Sequence, residues 1–139
     1  MQIRTQNGKQ YVLCAWRRRF VRLTPEELVR QTTLQLLVDE YAYPHHLIAV
    51  EVPIEVVGKP KRCDAIVYNR SMQPLMLIEF KAPSVAITQE VFDQAATYNR
   101  SLHVPYLMLC NGRQSILAQV TSTSYLLLDH IPQYPELLG

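Results

Sequence analysis

Between Arg62 and Lys81 the chain reads R-C-D-A-I-V-Y-N-R-S-M-Q-P-L-M-L-I-E-F-K. Two apolar runs are joined here by a polar turn, Asn69 to Pro74, the pattern of two β-strands in a hairpin. Three ionisable residues interrupt the runs: Asp64 in the first, Glu79 and Lys81 in the second. Side chains alternate faces along a strand, so Glu79 and Lys81 share one face and Phe80 takes the other. Antiparallel pairing around the turn brings Asp64 alongside them. Two carboxylates and an ammonium at the end of a buried hairpin are costly unless they pair or hold a metal. Any fold for this chain has to provide for that cost.

Upstream, residues 10–23 read as an extended or edge segment. Thr24-Pro25-Glu26-Glu27 is then a helix start: Thr24 can cap, Pro25 suits the first helical position and Glu27 completes a capping box. The helix is expected to run to about Tyr41, with Leu28, Val29, Leu36, Leu37 and Tyr41 in the core, and to end at Tyr43-Pro44. From Leu47 to Val57 a strand alternates Ile48, Val50, Val52, Ile54 and Val56 with Ala49, Glu51, Pro53 and Glu55. Pro53 and the two acids give it a wet face or an edge position. Gly58-Lys59-Pro60 turns the chain into a strand over 61–69, and Leu75 to Ala82 forms the next. Thr88 caps a second helix over about 89–101. Val104 to Cys110 is almost purely apolar and belongs in the middle of a sheet. Asn111-Gly112 is a turn, with short strands over 113–120 and 124–129.

The order is α-β-β-β-α-β plus short C-terminal strands, which implies an α/β fold with a central mixed sheet flanked by helices. The 139 residues suit one domain, 1–139, with a basic N-terminal segment over 1–23 and a core over about 24–130. No repeat or linker divides it. The apolar runs are too short to span a bilayer and nothing resembles a signal peptide. Cys14, Cys63 and Cys110 are odd in number and widely spaced, the economy of a reduced, cytoplasmic protein. The histidines lack zinc-ligand spacing.

A net charge of +2 hides an asymmetry, because Arg4, Lys9, Arg17, Arg18, Arg19 and Arg22 all precede the first acid, Glu26. Such a segment suits a polyanion such as nucleic acid. A strand edge kept soluble by arginines would look the same.

A helix, three antiparallel strands, a helix and a strand, with Asp on the second strand and Glu-x-Lys on the third, resembles the PD-(D/E)xK nucleases and their restriction-endonuclease-like core. More closely, T-P-E-E-L-V-R-Q, K-R-C-D-A-I-V-Y-N, L-I-E-F-K-A-P, F-D-Q-A-A-T-Y-N and L-C-N-G together resemble the nuclease domain at the N-terminus of type I restriction enzyme motor subunits. The likeness covers about residues 16–112. It implies a restriction-related, metal-dependent DNA endonuclease. Asp64 and Glu79 would be oxygen ligands for Mg²⁺ (or Mn²⁺), the Phe80 backbone carbonyl could add another, and Lys81 would orient or help deprotonate the attacking water.

Glu27 matches the extra acid of this fold, and as a capping-box residue it has a second reading. Gln94 and Tyr98, four apart on one helix face, match a Q-x-x-x-Y motif that implies positioning of the site or of DNA; Tyr98 also reads as core. Arg17, Arg18, Arg19 and Arg62 are candidate phosphate contacts. Lys61 lies beside Arg62 and shares that reading, with an exposed ion pair as the alternative. Cys63 stands where the family name places proline, and reads as a buried small hydrophobe. Glu51 and Glu55 read as solvated strand acids, although Glu51 points to the opposite face from the apolar row and could reach the site.

No G-x-x-x-x-G-K-[ST] loop occurs in the chain. The resemblance is therefore expected to extend to fold and site, and not to ATP-driven translocation. DNA is the expected partner, with a homodimer or a separate motor or specificity subunit beside it. A catalytically silent nucleic-acid-binding or assembly module on the same fold is the alternative, with Lys81 then a buried ion-pair partner.

Overall fold

The apolar runs that end at Phe80 and Cys110 lie side by side, parallel, in the middle of one sheet. The computed structural model describes residues 1–139, the side chain of Ser101 excepted. Strands β1 (Ile3–Gln6), β2 (Lys9–Cys14) and β3 (Arg19–Arg22) form an antiparallel meander. Helix α1 (Pro25–Tyr41) and a 3-10 turn (His45–Leu47) lead into β4 (Ile48–Val56), β5 (Lys59–Tyr68) and β6 (Pro74–Phe80), all antiparallel neighbours. Helix α2 (Gln89–Leu102) crosses to β7 (Tyr106–Cys110), and β8 (Ser115–Val120) and β9 (Tyr125–Leu128) extend the sheet antiparallel. The sheet order is β4-β5-β6-β7-β8-β9. A short helix, α3 (Tyr134–Leu137), follows. The sequence pattern did not announce it, nor that residues 1–23 would pair with themselves as three strands.

Strand alternation divides the core into two layers. Met76, Ile78 and Phe80 pack with Val29, Leu34 and Leu37 of α1, together with Ala65, Val67, Met108 and Cys110. Leu77, Leu107 and Leu109 pack with Phe92, Ala95 and Ala96 of α2, together with Cys63 and Ile66. Burial on both faces is why β6 and β7 read as unbroken apolar runs. Cys63 is buried as expected.

Both long helices begin where their caps predict. Thr24 Oγ1 accepts the Glu27 N–H at 3.0 Å, and Thr88 Oγ1 accepts the Val91 N–H at 3.2 Å. The buried stripe of α1 differs from the expected one. Leu28 and Leu36 stand 42% and 43% exposed, while Glu27, Arg30, Gln31 and Thr33 are buried beside Leu34 and Leu37. Apolarity misleads here because Glu27 bonds to Arg30 and Gln31, and Thr33 meets Cys110 Sγ, which offsets much of the cost of leaving water.

Two further details hold the frame. Gly112 has φ +86°, and a Cβ there would stand 3.2 Å from Val29 Cγ2, so glycine lets the β7–β8 turn lie against α1 without backbone strain or crowding. At the C-terminal end, Tyr43 donates its hydroxyl to the Pro132 carbonyl at 3.0 Å, and Tyr134 donates to the Tyr68 carbonyl at 2.8 Å.

The β4–β5 hairpin turns at Val57-Gly58, both with positive φ (+52° and +75°), between the paired Val56 and Lys59. Two positive φ values define a type I′ turn, which favours Asn-Gly. A β-branched residue in that region is strained, and Val57 is 87% exposed with no packing to compensate. Val57→Asn is therefore expected to stabilise the protein by about 1 kcal/mol. Thermal unfolding followed by circular dichroism should show a rise of roughly 3–5 °C in the midpoint; an unchanged or lower midpoint would contradict the assigned turn.

Candidate functional site

Of the two ladders that flank β5, one is interrupted at Asp64 and the other ends beside it. Between β4 and β5 the paired residues run Ile48–Val67, Ala49–Ile66 and Val50–Ala65, and resume at Val52–Cys63. The omitted pair is Glu51 with Asp64, and Glu51 has φ +53° in mid-strand. That residue reverses the alternation of β4. Ile48 and Val50 face the α1 layer, whereas Val52 and Ile54 face the α2 layer. The single alternating row read from the sequence is therefore two half-rows. Between β5 and β6 the pairs Val67–Met76, Ile66–Leu77 and Ala65–Ile78 are made, and Asp64 with Glu79 would be next. Instead the Asp64 carboxylate accepts the Phe80 N–H at 2.7 Å. The strands thus fork at the two carboxylates singled out by the sequence.

Across this fork the Glu79 carboxyl lies well above the usual carboxylate range. Burial is the largest cause, followed by the charge of Asp64 and a hydrogen bond between the two carboxyls; Lys61 and Lys81 oppose the shift. Two acids this close to one another resist ionising together. Lys81 follows β6 directly, its N–H donating to the Cys110 carbonyl at 2.9 Å, so β7 holds the backbone beyond Glu79.

Glu79 and Lys81 open into a small cleft whose other polar walls are Lys61, Gln94 and Tyr98. The Q-x-x-x-Y pair of α2 therefore faces the Glu-x-Lys pair of β6, as a helix that packs over that face allows. The Lys61 Nζ sits 3.0 Å from the centroid of the Tyr98 ring, a cation–π contact. Lys61 is the part of this cleft that the motif did not mark. Its charge beside Arg62 marked it as a phosphate contact, and parity adds the cleft, since Lys61 is two residues along β5 from Cys63, which is buried under α2.

Glu27 lies outside the cleft, in a network of its own. Its carboxylate accepts from Arg17 Nη2 at 2.6 Å, Arg30 Nη2 at 3.1 Å and Gln31 Nε2 at 2.9 Å. Only the Thr24 half of the capping box is made. Both readings of the Glu27 side chain, cation ligand and capping group, give way to this buried role. The spacing held the clue, since Arg30 and Gln31 are three and four residues on, along the same helix face. The acid of α1 that senses Asp64 is Glu26: burial and then the charge of Asp64 raise its carboxyl, against Lys81 and Arg30.

Arg30, 7% exposed, extends the network to the fork. One Nη1 proton-bearing group serves both Glu51 Oε1 at 2.5 Å and the Asp64 main-chain carbonyl at 3.2 Å. Arg62 stands 3.8 Å from the other Glu51 oxygen. Glu51 is thus an ion-pair partner and not a solvated acid.

The candidate phosphate contacts separate accordingly. Arg17 is held by Glu27 and by Cys14 Sγ, which accepts from its Nε at 3.3 Å. It is a structural residue. Arg18, Arg19 and Arg62 are exposed, together with Arg4, Lys9 and Arg22. Asn111 serves the turn: its Oδ1 accepts the N–H groups of Arg113 and Gln114, and its Nδ2 donates to the Val85 carbonyl. No helix among the described residues is long and apolar enough to cross a membrane.

A family model for the type I restriction enzyme R protein N terminus matches residues 25–132. Among solved structures, a fragment assigned as an HsdR subunit of a type I restriction enzyme from Vibrio vulnificus YJ016 aligns with a TM-score of 0.59 and 18% sequence identity. The alignment covers 82% of this chain and 24% of that one, so the chain spans about a quarter of the length of the structure it matches. That likeness concerns the fold. No curated protein sequence matches the chain.

The buried network has a thermodynamic consequence. Glu27→Gln keeps the shape of the side chain but leaves Arg17 and Arg30 without their shared counter-charge. Breaking one partner of a buried pair costs about 3–5 kcal/mol. A urea titration is expected to show that loss for Glu27→Gln, whereas Gln94→Ala on the open side of the cleft should change stability by under about 0.5 kcal/mol. Equal, small effects in both variants would mean that the network is dispensable.

Proposed function

We propose that this chain, which belongs to the family of the type I restriction enzyme R protein N terminus, hydrolyses phosphodiester bonds of DNA at the Asp64–Glu79 fork with a divalent cation. The observation that carries the reading is the Asp64 carboxylate bonded to the Phe80 N–H, next in the chain to Glu79, which shares a cleft with Lys81, while neither acid has a salt bridge among the described residues. A purely structural role would favour pairing Lys81 with one of them; no such ion pair occurs among the described residues. The order α1-β4-β5-β6-α2-β7 supports a restriction-endonuclease-like core, and we take residues 1–139 as one nuclease-like domain.

The donor set fits Mg²⁺ or Mn²⁺. Among the described residues no three His, Cys, Asp or Glu side chains gather as a metal group. Mg²⁺ is commonly held by one or two carboxylates with several retained waters, so Asp64 and Glu79 suffice. The Phe80 carbonyl is a further candidate donor, and Glu26 replaces Glu27 as the acid of α1 that could act with them. Such a cation, when bound, supplies Lewis-acid stabilisation and lowers the pKa of water.

The remaining chemistry belongs to the chain. Lys81 places a positive charge where negative charge develops on the phosphoryl group, and orients the attacking water. Lys61, held on the Tyr98 ring, offers a second cation to a neighbouring phosphate. Gln94 can hydrogen-bond either a phosphate or the water. The exposed Arg18, Arg19 and Arg62 suit the DNA backbone, which gives a salt-dependent affinity. One such site cuts one strand, so a duplex break takes two copies or two events, or a partner that supplies the second.

The test is nicking of supercoiled plasmid with Mg²⁺ or Mn²⁺. We expect cleavage that EDTA abolishes and that Lys81→Ala reduces by at least about 100-fold, with Asp64→Ala losing Mn²⁺ binding. Folded Lys81→Ala protein that cleaves as well as the parent would overturn the mechanism. No cleavage and no metal binding by the parent would favour a silent DNA-binding or assembly module.

A further inference from the structure

Asp64 is fixed from two directions. Its carboxylate takes the Phe80 N–H at 2.7 Å, a donor on β6. Its main-chain carbonyl takes Arg30 Nη1 at 3.2 Å, a donor on α1. Both bonds replace ladder contacts, since Asp64 is the β5 residue left out of register with Glu51 on one side and Glu79 on the other. The same Arg30 also grips Glu51, the residue whose positive φ produces the interruption. One guanidinium therefore holds both residues of the missing β4–β5 pair.

Its hydrogen bonding is distributed in a way that maximal pairing would not choose. Arginine commonly meets a carboxylate through two parallel N–H bonds. Here Glu27 on α1, Glu51 on β4 and the Asp64 carbonyl on β5 each take one contact, and the buried Nε–H finds no partner among the described residues. A donor is left unsatisfied so that three elements can be reached at once.

We infer that Arg30 is a positioning residue for the Asp64 carboxylate, acting through the Asp64 main-chain carbonyl and through Glu51. It keeps the β4–β5 ladder open at that one pair, and the open ladder directs the carboxylate to Phe80 N–H and Glu79. Without Arg30, Glu51 and Asp64 can close the ladder, which turns the carboxylate away. This rests on the reading of Asp64 as a site residue, but its geometry can be measured without metal or substrate.

The reporter is the Phe80 amide, followed by ¹H–¹⁵N NMR of the full chain in EDTA. In Arg30→Met the Phe80 resonance is expected to move toward its position in Asp64→Ala. Its hydrogen exchange should rise at least about 10-fold, because the bond that protects it is lost. The Leu77 and Met108 amides in the middle of the sheet should stay as in the parent. Glu27→Gln removes a neighbour of Arg30 that does not touch Asp64, and is expected to lower the melting point while leaving Phe80 in place. Mn²⁺ affinity, read by the free-ion electron paramagnetic resonance signal, should fall 10–100-fold in Arg30→Met and stay within about twofold in Glu27→Gln, as for outer partners of a metal ligand.

Should Arg30→Met fail to fold, Arg30→Lys decides. It keeps the charge but cannot reach three partners, so Phe80 should still shift. A Phe80 amide unchanged in whichever variant folds, or shifted equally by Glu27→Gln, would overturn the inference. A parent protein that binds no Mn²⁺ would count against the metal reading alone, since the Phe80 comparison is independent of it.

Discussion

The structure turns on a chain of charge, Arg17–Glu27–Arg30–Glu51, buried at its centre and half-buried at its ends, that links the N-terminal meander, α1 and the first hairpin of the main sheet. Isolated, each of these ions would be costly to bury; alternating in sign and sharing hydrogen bonds, they become tolerable together. The arrangement is specific before it is stabilising. Apolar side chains of the same volume could fill the space, but they could not hold two strands apart at one residue pair. Arg17 also makes the meander more than an appendage, because its guanidinium is shared between Cys14 of β2 and Glu27 of α1. Trp16 adds to the join by stacking on His45, with ring centroids 4.5 Å apart.

The fork shows how local strain and tertiary charge cooperate. A glutamate at positive φ inside a strand is unfavourable for the backbone, and such conformations persist only where surroundings over-determine them. Here the surroundings are Arg30 and Arg62. The outcome is a strand that changes face halfway, with its first half under α1 and its second half under α2. The same irregularity sets two carboxyls against each other beside Lys81, under the Gln94 and Tyr98 face of α2. Membership of the R protein N-terminal family and the likeness to a solved fragment agree with this architecture, while the proposed chemistry rests on the residues of the fork.

Much of the frame could be read from residue order. Thr24, Pro25 and Thr88 mark helix starts because capping is decided within a few residues. The Asp64-to-Phe80 hairpin, the turn at Asn69 and the apolar β7 follow from period-two patterning and turn residues, which are also local. The same logic put Glu79 and Lys81 on one face and Gln94 with Tyr98 on another. Even α1 carried a partial clue, with Glu27, Arg30 and Gln31 on one stripe, though the buried leucine expected at 28 or 36 is not there. A polar stripe reads as solvated until its partners are known, and three of those partners, Arg17, Glu51 and the Asp64 carbonyl, lie on other elements.

By itself, then, the sequence determined the two long helices and the strands of the main sheet, the mixed sheet with a helix on each face, and the set of ionisable residues that no apolar core could absorb without compensation. These depend on spacing along the chain. Only the tertiary structure decided which acid of α1 is buried in an ion network and which one senses the fork, that Arg17 is structural while Arg18 and Arg19 are free to meet solvent, and that Lys61 joins the cleft over Tyr98. Adjacent residues such as Glu26 and Glu27 have nearly the same local signature. They are separated by about 100° around a helix, and what waits in each direction is supplied by strands distant in sequence.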